Sequence, residues 1–273
     1  MKSWGGKGVR RYQVTVFFFV FVVVFFSLIL LPPIQKYIAF KLVSHHQYSM
    51  AYLVNYSDSR IAMQVGSYYF SKGGYNLQRA KKSFQLASQL DSRVHLAHYQ
   101  LARIYFVEGE YGRAISEIDK ELVLAPDFLR SLYVRGLIEI SQKKLVDAEK
   151  DFADFVAWSP TEWGGYNDLA FVLAKEGKYT ESEKVVEEAF EKVPNGKDNP
   201  WLWNSLGVAQ LNQYHYQDAG KAFATALPLA QALTPEMWHR AYSGNDPAAI
   251  LQSITAFQNA IESNVKASQG AHS

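Results

Sequence analysis

The sequence contains no cysteine, which excludes disulfides, thiolate metal sites and a thiol for lipid attachment. Acidic residues are missing from its first 34 residues, which hold four of the 28 Lys and Arg and none of the 26 Asp and Glu. The rest of the chain therefore has 24 basic and 26 acidic residues, a nearly neutral balance. This balance predicts no binding of nucleic acid, which requires a strongly basic surface.

An apolar run in the N-terminal region extends from Val14 to Leu31 and is interrupted only by Thr15 and Ser27. As a helix these 18 residues would be about 27 Å long, close to the ~30 Å hydrocarbon core of a bilayer. We therefore predict a transmembrane anchor at residues 14–34, preceded by a basic tail at residues 1–13. A cleaved signal peptide is the alternative, but no small-x-small cleavage site follows at the expected distance.

The flanking charges predict the orientation of this anchor. Four basic residues precede the run, at positions 2, 7, 10 and 11, whereas only Lys36 and Lys41 occur in the next twenty residues. Because Lys and Arg next to a membrane span tend to stay in the cytoplasm, we expect a cytoplasmic N-terminus. The bulk of this single-pass protein is then extracytoplasmic.

Four segments after residue 94 share a pattern with a period near 34 residues, beginning at residues 95, 129, 163 and 200. Each has two stretches of helical apolar spacing, separated by a short turn. Small residues recur once in each helix, at Ala102, Gly136, Ala170 and Gly207 in the first and at Ala114, Ala148, Ser182 and Ala219 in the second. Closely packed helices need small residues where they cross. Large residues at positions 118, 152, 186 and 223 are expected to fill the space between neighbouring pairs.

This pattern resembles the tetratricopeptide-repeat family. Trp203-x2-Leu206-Gly207 matches the start of the family signature W-x2-L-G-x2-Y, and Tyr179-x2-Ser182 with Ala189 and Pro194 matches most of its second half. The resemblance covers about residues 59–233, including a first repeat with a longer turn. It implies an all-α fold, in which the transmembrane helix is followed by a right-handed α-solenoid of about five helix-turn-helix repeats.

The segments outside the repeats complete the predicted organisation. Residues 35–58 are predicted to form a linker helix or a degenerate half-repeat. Residues 234–267 are predicted to form capping helices, with Asp246 and Pro247 as the N-cap and the first helical residue. The apolar stripe of the last helix consists of Ile250, Ile254, Phe257, Ile261 and Val265. Residues 268–273 are predicted to be a disordered tail.

No pattern of side chains predicts a catalytic residue, a cofactor site or a metal site. His95 and His98 are spaced to share a helix face, but His98 occupies the position of the first-helix tryptophan of the family and is expected to be packed. The glycine pairs lack the preceding strand that a phosphate loop needs. Acidic residues such as Glu187 and Glu188 are expected to form a solvated helix face. We therefore predict a protein that is not an enzyme, binds no cofactor and has no small-molecule substrate.

The resemblance implies a partner-binding groove lined by the first helix of each repeat. The side chains that project to it are Tyr99, Arg103, Phe106, Tyr133, Leu137, Ile140, Asn167, Phe171, Trp201, Asn204 and Val208. Their aromatic and aliphatic groups suit an extended or helical peptide. Arg103 is the only cation among them, which argues against a clamp for a C-terminal carboxylate. The alternative is that some of these residues contact the linker helix or the C-terminal cap.

The predicted function is a membrane-anchored scaffold that binds proteins or peptides in envelope assembly, secretion or chaperoning. The alternative is an accessory subunit that docks through its convex face on a membrane enzyme of polysaccharide or cell-wall synthesis. A third hypothesis reverses the topology and leaves the repeats in the cytoplasm.

Overall fold

The computed structural model describes residues 31–54, 56–72, 74–242 and 245–270, and every regular element in these ranges is helical. The predicted anchor therefore lies outside the described residues except for its last four, and helix α1 already begins at Pro32. Among the residues described, no helix is both long enough and apolar enough to span a bilayer. The chain divides into two compact units between Val94 and His95, which is also the boundary between the first and second predicted repeats.

The first unit contains four α-helices in the described residues. They are α1 (Pro32–Ser44), α2 (Tyr48–Leu53), α3 (Ser59–Ser67) and α4 (Leu77–Leu90), and α3 continues into a π-helical turn at Tyr68–Lys72. The linker predicted at residues 35–58 is thus two helices, α1 and α2. The ring of Phe84 packs over Gly66, where a Cβ atom would lie 2.7 Å from the ring, so α3 and α4 cross closely.

Asp58 fixes the start of α3 in this unit. Its carboxylate accepts hydrogen bonds from the backbone N–H of Arg60 at 3.0 Å and of Ile61 at 3.4 Å, and Lys36 of α1 approaches it at 2.9 Å. Burial opposes ionisation of this carboxyl, but these bonds outweigh burial and lower the pKa of Asp58 to about 2. One side chain therefore caps α3 and joins it to α1.

The second unit holds the other four repeats and the C-terminal cap. Its helices are α5 (Ala97–Val107), α6 (Tyr111–Leu124), α7 (Arg130–Ser141), α8 (Leu145–Trp158), α9 (Trp163–Lys175), α10 (Tyr179–Lys192), α11 (Pro200–Asn212), α12 (Tyr216–Gln231), α13 (Pro235–Ala241) and α14 (Ile250–Gly270). The two helices of each repeat pack against each other, and the second helix also packs against the first helix of the next repeat. Thus α6 contacts α7, α8 contacts α9 and α10 contacts α11. The helix starts agree with the predicted repeat starts to within two residues.

The predicted small and large positions are all in the core of this unit. The eight small residues and the four large ones at positions 118, 152, 186 and 223 are buried. Where the first helix has glycine, the facing residue is phenylalanine, as in Gly136 with Phe152 and Gly207 with Phe223. The alanine repeats have smaller residues at the corresponding position, Ile118 and Val186. A smaller residue on the first helix is thus matched by a larger side chain on the second, and the space between the two helices stays filled.

The turn inside each repeat of the second unit has one residue in the left-handed conformation. It is Gly109 in the second repeat and Gly177 in the fourth, with φ of 76° and 80°. Lys143 and Tyr214 take the same place in the third and fifth repeats, both with φ of 62°. Side chains destabilise this conformation, so the glycine repeats have the less strained turn.

The C-terminal cap is longer than predicted. Asp246 accepts a hydrogen bond from the backbone N–H of Ala248 at 2.9 Å, so it is the expected N-cap of the 3-10 turn Pro247–Ala249 that leads into α14. However, α14 continues to Gly270, beyond the expected end at residue 267. The reason is packing, because Ser268 is buried and its Oγ atom lies against Gly220 of α12.

Candidate protein-binding surface

The predicted binding residues lie on the first helices of four repeats, α5, α7, α9 and α11. Within each helix they are three or four residues apart, which places them along one face. We call the set the first-helix surface, and it consists of Tyr99, Arg103, Phe106, Tyr133, Leu137, Ile140, Asn167, Phe171, Trp201, Asn204 and Val208. Neighbouring first helices touch at α5 with α7 and at α9 with α11, so parts of the surface are continuous.

The most exposed apolar part of this surface is on α5, α7 and α9. Phe171 is 42% exposed, which is high for a phenylalanine on an ordered helix, and Lys175 lies over its ring at 5.3 Å. Phe106, Leu137 and Ile140 are partly exposed. These apolar side chains remain in contact with solvent in the isolated chain.

Positive charge lies beside these apolar residues on α5. The guanidinium of Arg103 stacks over the ring of Tyr99 at 5.7 Å, and its Nη1 atom donates to Gln100 Oε1 at 3.0 Å. Burial lowers the pKa of Arg103, and the nearby Arg130 adds to this effect. Arg130 in turn forms an ion pair with Glu162 at 2.9 Å. Tyr99 itself is 8% exposed, so its ring supports Arg103 more than it faces solvent.

A polar network connects α7, α9 and α11 across the same surface. Tyr133 donates to Asp168 Oδ2 at 2.7 Å, Asn167 donates to Asp168 Oδ1 at 2.9 Å, and Ser205 donates to Asn167 Oδ1 at 2.9 Å. Burial raises the pKa of Asp168 to about 6, although the donated hydrogen bonds act against the shift. The pKa of Tyr133 is raised well above its ordinary value by burial and by Asp168. Asn167 and Tyr133 are thus already engaged within the chain.

The C-terminal cap contacts the surface on α11 and buries Trp201, whereas Asn204 and Val208 stay partly exposed. The ring of Trp201 is stacked between Trp163 at 4.8 Å and Phe257 of α14 at 5.5 Å, and Trp201 is only 9% exposed. Asn264 of α14 donates to Asn204 Oδ1 at 3.1 Å. Tyr242, which follows α13, packs on Trp201 with the ring centroids 5.9 Å apart. Trp201 and Asn204 therefore contact the cap, as one sequence-based alternative anticipated.

Sequence analysis missed Asp168, Ser205 and Trp163 as parts of this surface. Asp168 directly follows Asn167, and an acidic residue inside an apolar first helix was the available signal.

The two histidines considered as a metal-binding pair contact different carboxylates, since His95 pairs with Glu121 at 2.8 Å and His98 with Glu117. Within the described ranges no three His, Cys, Asp or Glu residues lie close enough together to hold a metal ion.

Known proteins of similar sequence or structure share this repeat architecture. The human tetratricopeptide repeat protein 7B is 27% identical over 128 residues, which are 47% of this chain and 15% of that protein. A tetratricopeptide repeat protein from Parabacteroides merdae has a TM-score of 0.57 at 16% identity, over 86% of this chain and 97% of its own. The chain has the tetratricopeptide-repeat fold.

Another solved protein with this fold is YrrB, described as a TPR protein with an unusual peptide-binding site. It has a TM-score of 0.53 at 18% identity, over 68% of this chain and 93% of its own. No family model matches the chain. The chain spans about a seventh of the length of its curated human relative, so the similarity concerns the repeats and not the whole of that protein.

Proposed function

We propose that this tetratricopeptide-repeat chain is a protein-binding scaffold without catalytic activity of its own. Its first-helix surface on α5, α7 and α9 takes an extended or helical segment of a partner protein. The observation that carries the proposal is the contrast along this surface. On α11 a helix of the same chain, α14, packs on Trp201 and leaves it 9% exposed, whereas Phe171 on α9 is 42% exposed. A surface that accepts one helix at its end has the chemistry to accept another segment beside it.

The expected partner segment has apolar side chains followed by acidic or carbonyl groups. Phe106 and Phe171 offer aromatic anchors, which carry much of the free energy in protein interfaces. Lys175 lies over the ring of Phe171, and Arg103 is three residues before Phe106 on α5, so both attract acidic groups at the rim. The peptide-binding site in the description of YrrB agrees with this use of the fold.

Selection of peptides from a random library tests this proposal while the natural partner is unidentified. Peptides would be selected on the full chain, and their dissociation constants measured with a Phe106→Ala and Phe171→Ala double variant. We expect affinity to fall at least about tenfold, which is 1.4 kcal/mol. Phe106 and Phe171 are better test positions than Tyr99, whose ring is buried, and Tyr133, whose hydroxyl is bonded to Asp168, because those two contribute to folding.

The matched control replaces apolar residues on the second helices. Val123 on α6 and Val146 on α8 are 83% and 72% exposed. We expect a Val123→Ala and Val146→Ala variant to bind the selected peptides as tightly as the unmodified chain. Loss of affinity in this control, with full affinity in the aromatic variant, would contradict the proposal. It would favour the alternative function, an accessory subunit that docks on a membrane enzyme of polysaccharide or cell-wall synthesis.

We further propose that the scaffold is held at a membrane through residues 14–34 and works outside the cytoplasm in envelope assembly, secretion or chaperoning. The apolar run Val14 to Leu31 and the basic residues before it support this location. Reporters active only outside or only inside the cytoplasm, fused after Ser273, test the orientation. External activity is expected, and cytoplasmic activity would instead make a cytosolic docking receptor the better hypothesis.

A further inference from the structure

Helix α1 has two apolar faces, and the described residues cover only one of them. Ala39 and Val43 are buried in the first unit. Pro33, Tyr37, Phe40 and Ser44 are spaced four, three and four residues apart along the helix, and all four are exposed. Tyr37 is 60% exposed and Phe40 is 57% exposed, so two aromatic rings point away from the unit that α1 helps to form. A helix that is apolar on more than one face needs a second apolar environment.

The charged side chains of α1 itself are all basic. Lys36 and Lys41 lie on α1, and the first acidic residue of the whole chain is Asp58. Asp58 is occupied as the cap of α3 and as the partner of Lys36. Lys41 lies over the ring of Tyr37, with its Nζ atom 5.8 Å from the ring centroid. Aromatic rings beside lysines match the boundary layer of a membrane with anionic headgroups.

The proposed anchor would bring this face close to a bilayer. The apolar run ends at Leu31, and α1 begins at the next residue. The backbone of Leu31 is extended, with φ of −68° and ψ of 131°, and Pro32 starts the new helix. Helix α1 therefore does not continue a helix through Leu31.

Geometry makes the direction of α1 decisive for Phe40. Nine residues after Leu31, a helix along the membrane normal would place Phe40 about 14 Å beyond the end of the run. The headgroup layer is only about 5–8 Å thick on each side, so Phe40 would then be in water. A helix that lies in the membrane plane keeps both rings within this layer.

We propose that α1 lies along the membrane surface, with Tyr37 and Phe40 in the headgroup layer of an anionic phospholipid bilayer. This inference rests on the proposed anchor at residues 14–34, of which the last three form the first turn of α1. The side chain of Lys41 extends from the same face to the phosphates, while its methylene groups stay beside the ring of Tyr37. The first unit is thereby held against the bilayer at α1.

The absence of cysteine allows a direct measurement of depth. Single-cysteine variants Tyr37→Cys and Phe40→Cys of the full chain would carry a nitroxide label, in vesicles of phosphatidylcholine and phosphatidylglycerol. Collision of the label with oxygen, which concentrates in lipid, would be compared with collision with a water-soluble nickel chelate. Val123→Cys is the matched control, because it is apolar and 83% exposed on a helix of the second unit. Val22→Cys reports on the anchor.

We expect the oxygen-to-nickel ratio to be highest at Val22, intermediate at Tyr37 and Phe40, and lowest at Val123. A ratio at Phe40 and Tyr37 equal to that at Val123, with a lipid signal at Val22, overturns this inference and leaves the anchor intact. A water-like signal at Val22 overturns the anchor as well. Spectral broadening at Phe40 that disappears on dilution with unlabelled protein shows that a second copy covers the face, which also overturns the inference. Circular dichroism confirms that each variant is folded.

Discussion

Gly136 lies where α7 crosses α8, and the ring of Phe152 occupies the space that a side chain would take. A Cβ atom at Gly136 would be 2.8 Å from Cζ of Phe152, a separation at which one of the two must move. Phe152 is fully buried, and its ring packs edge-on against Tyr133 with the centroids 5.7 Å apart. The ring therefore has no free space into which to turn.

The Gly136→Ala variant combines two effects of opposite sign. Alanine stabilises a helix interior by about 0.8–1 kcal/mol relative to glycine. Overpacking of a filled core costs about 1–3 kcal/mol. We expect the cost to prevail, with a net destabilisation of about 1 kcal/mol and a melting temperature lower by about 2–4 °C. Urea and thermal unfolding of the full chain in mild detergent, followed by circular dichroism, measure both quantities.

Two further variants separate packing from helix propensity. Gly112→Ala in α6 meets no atom within 4 Å, so it is expected to stabilise the chain by up to about 1 kcal/mol. The second repeat pairs Ala102 with Ile118, and the Gly136→Ala and Phe152→Ile double variant copies that pair. The double variant is expected to be about 1 kcal/mol more stable than the free energies of unfolding of the two single variants predict by addition. Stabilisation by Gly136→Ala equal to that of Gly112→Ala, without coupling to Phe152, would refute the close-crossing argument.

Three other predictions concern the turn, a buried carboxylate and pH. Lys143→Gly removes the strain of a side chain in the left-handed conformation and is expected to stabilise the third repeat by about 1 kcal/mol. The control Gln142→Gly, at φ of −88°, is expected to destabilise it. The opposite order of stability in urea unfolding would contradict this. Fully buried Glu121 accepts two backbone N–H groups at the start of α5, so Glu121→Gln should cost about 1–3 kcal/mol in the same assay, and an unchanged midpoint would disprove its capping role. Burial and Asp151 raise the pKa of Glu139 from 4.5 to about 7, so the folded chain binds the proton more tightly and loses stability as pH rises through that window. The Glu139→Gln variant should therefore gain stability relative to the unmodified chain from pH 4.5 to 7, and a constant difference in melting temperature would contradict this.

The repeat architecture was readable from the sequence because its causes are local. Apolar residues at helical spacing, a small residue at each crossing and a turn between the helices are properties of a single 34-residue segment. The repeats predicted from residues 163 and 200 begin with α9 at Trp163 and α11 at Pro200. The phenylalanines that face Gly136 and Gly207 were predicted to fill space, and they are buried against those glycines.

The tertiary structure decided which of the candidate residues are still accessible. Trp201 was indistinguishable in sequence from the other groove positions, yet Phe257, which follows it by more than fifty residues, stacks on its ring. Glu121 and Asp168 have the charge of solvated helix residues, but backbone N–H groups surround one and Tyr133 binds the other. A periodic pattern records which face of a helix is apolar, since that depends on neighbours three and four residues away. It does not record which distant segment covers that face, because such contacts depend on how the helices pack.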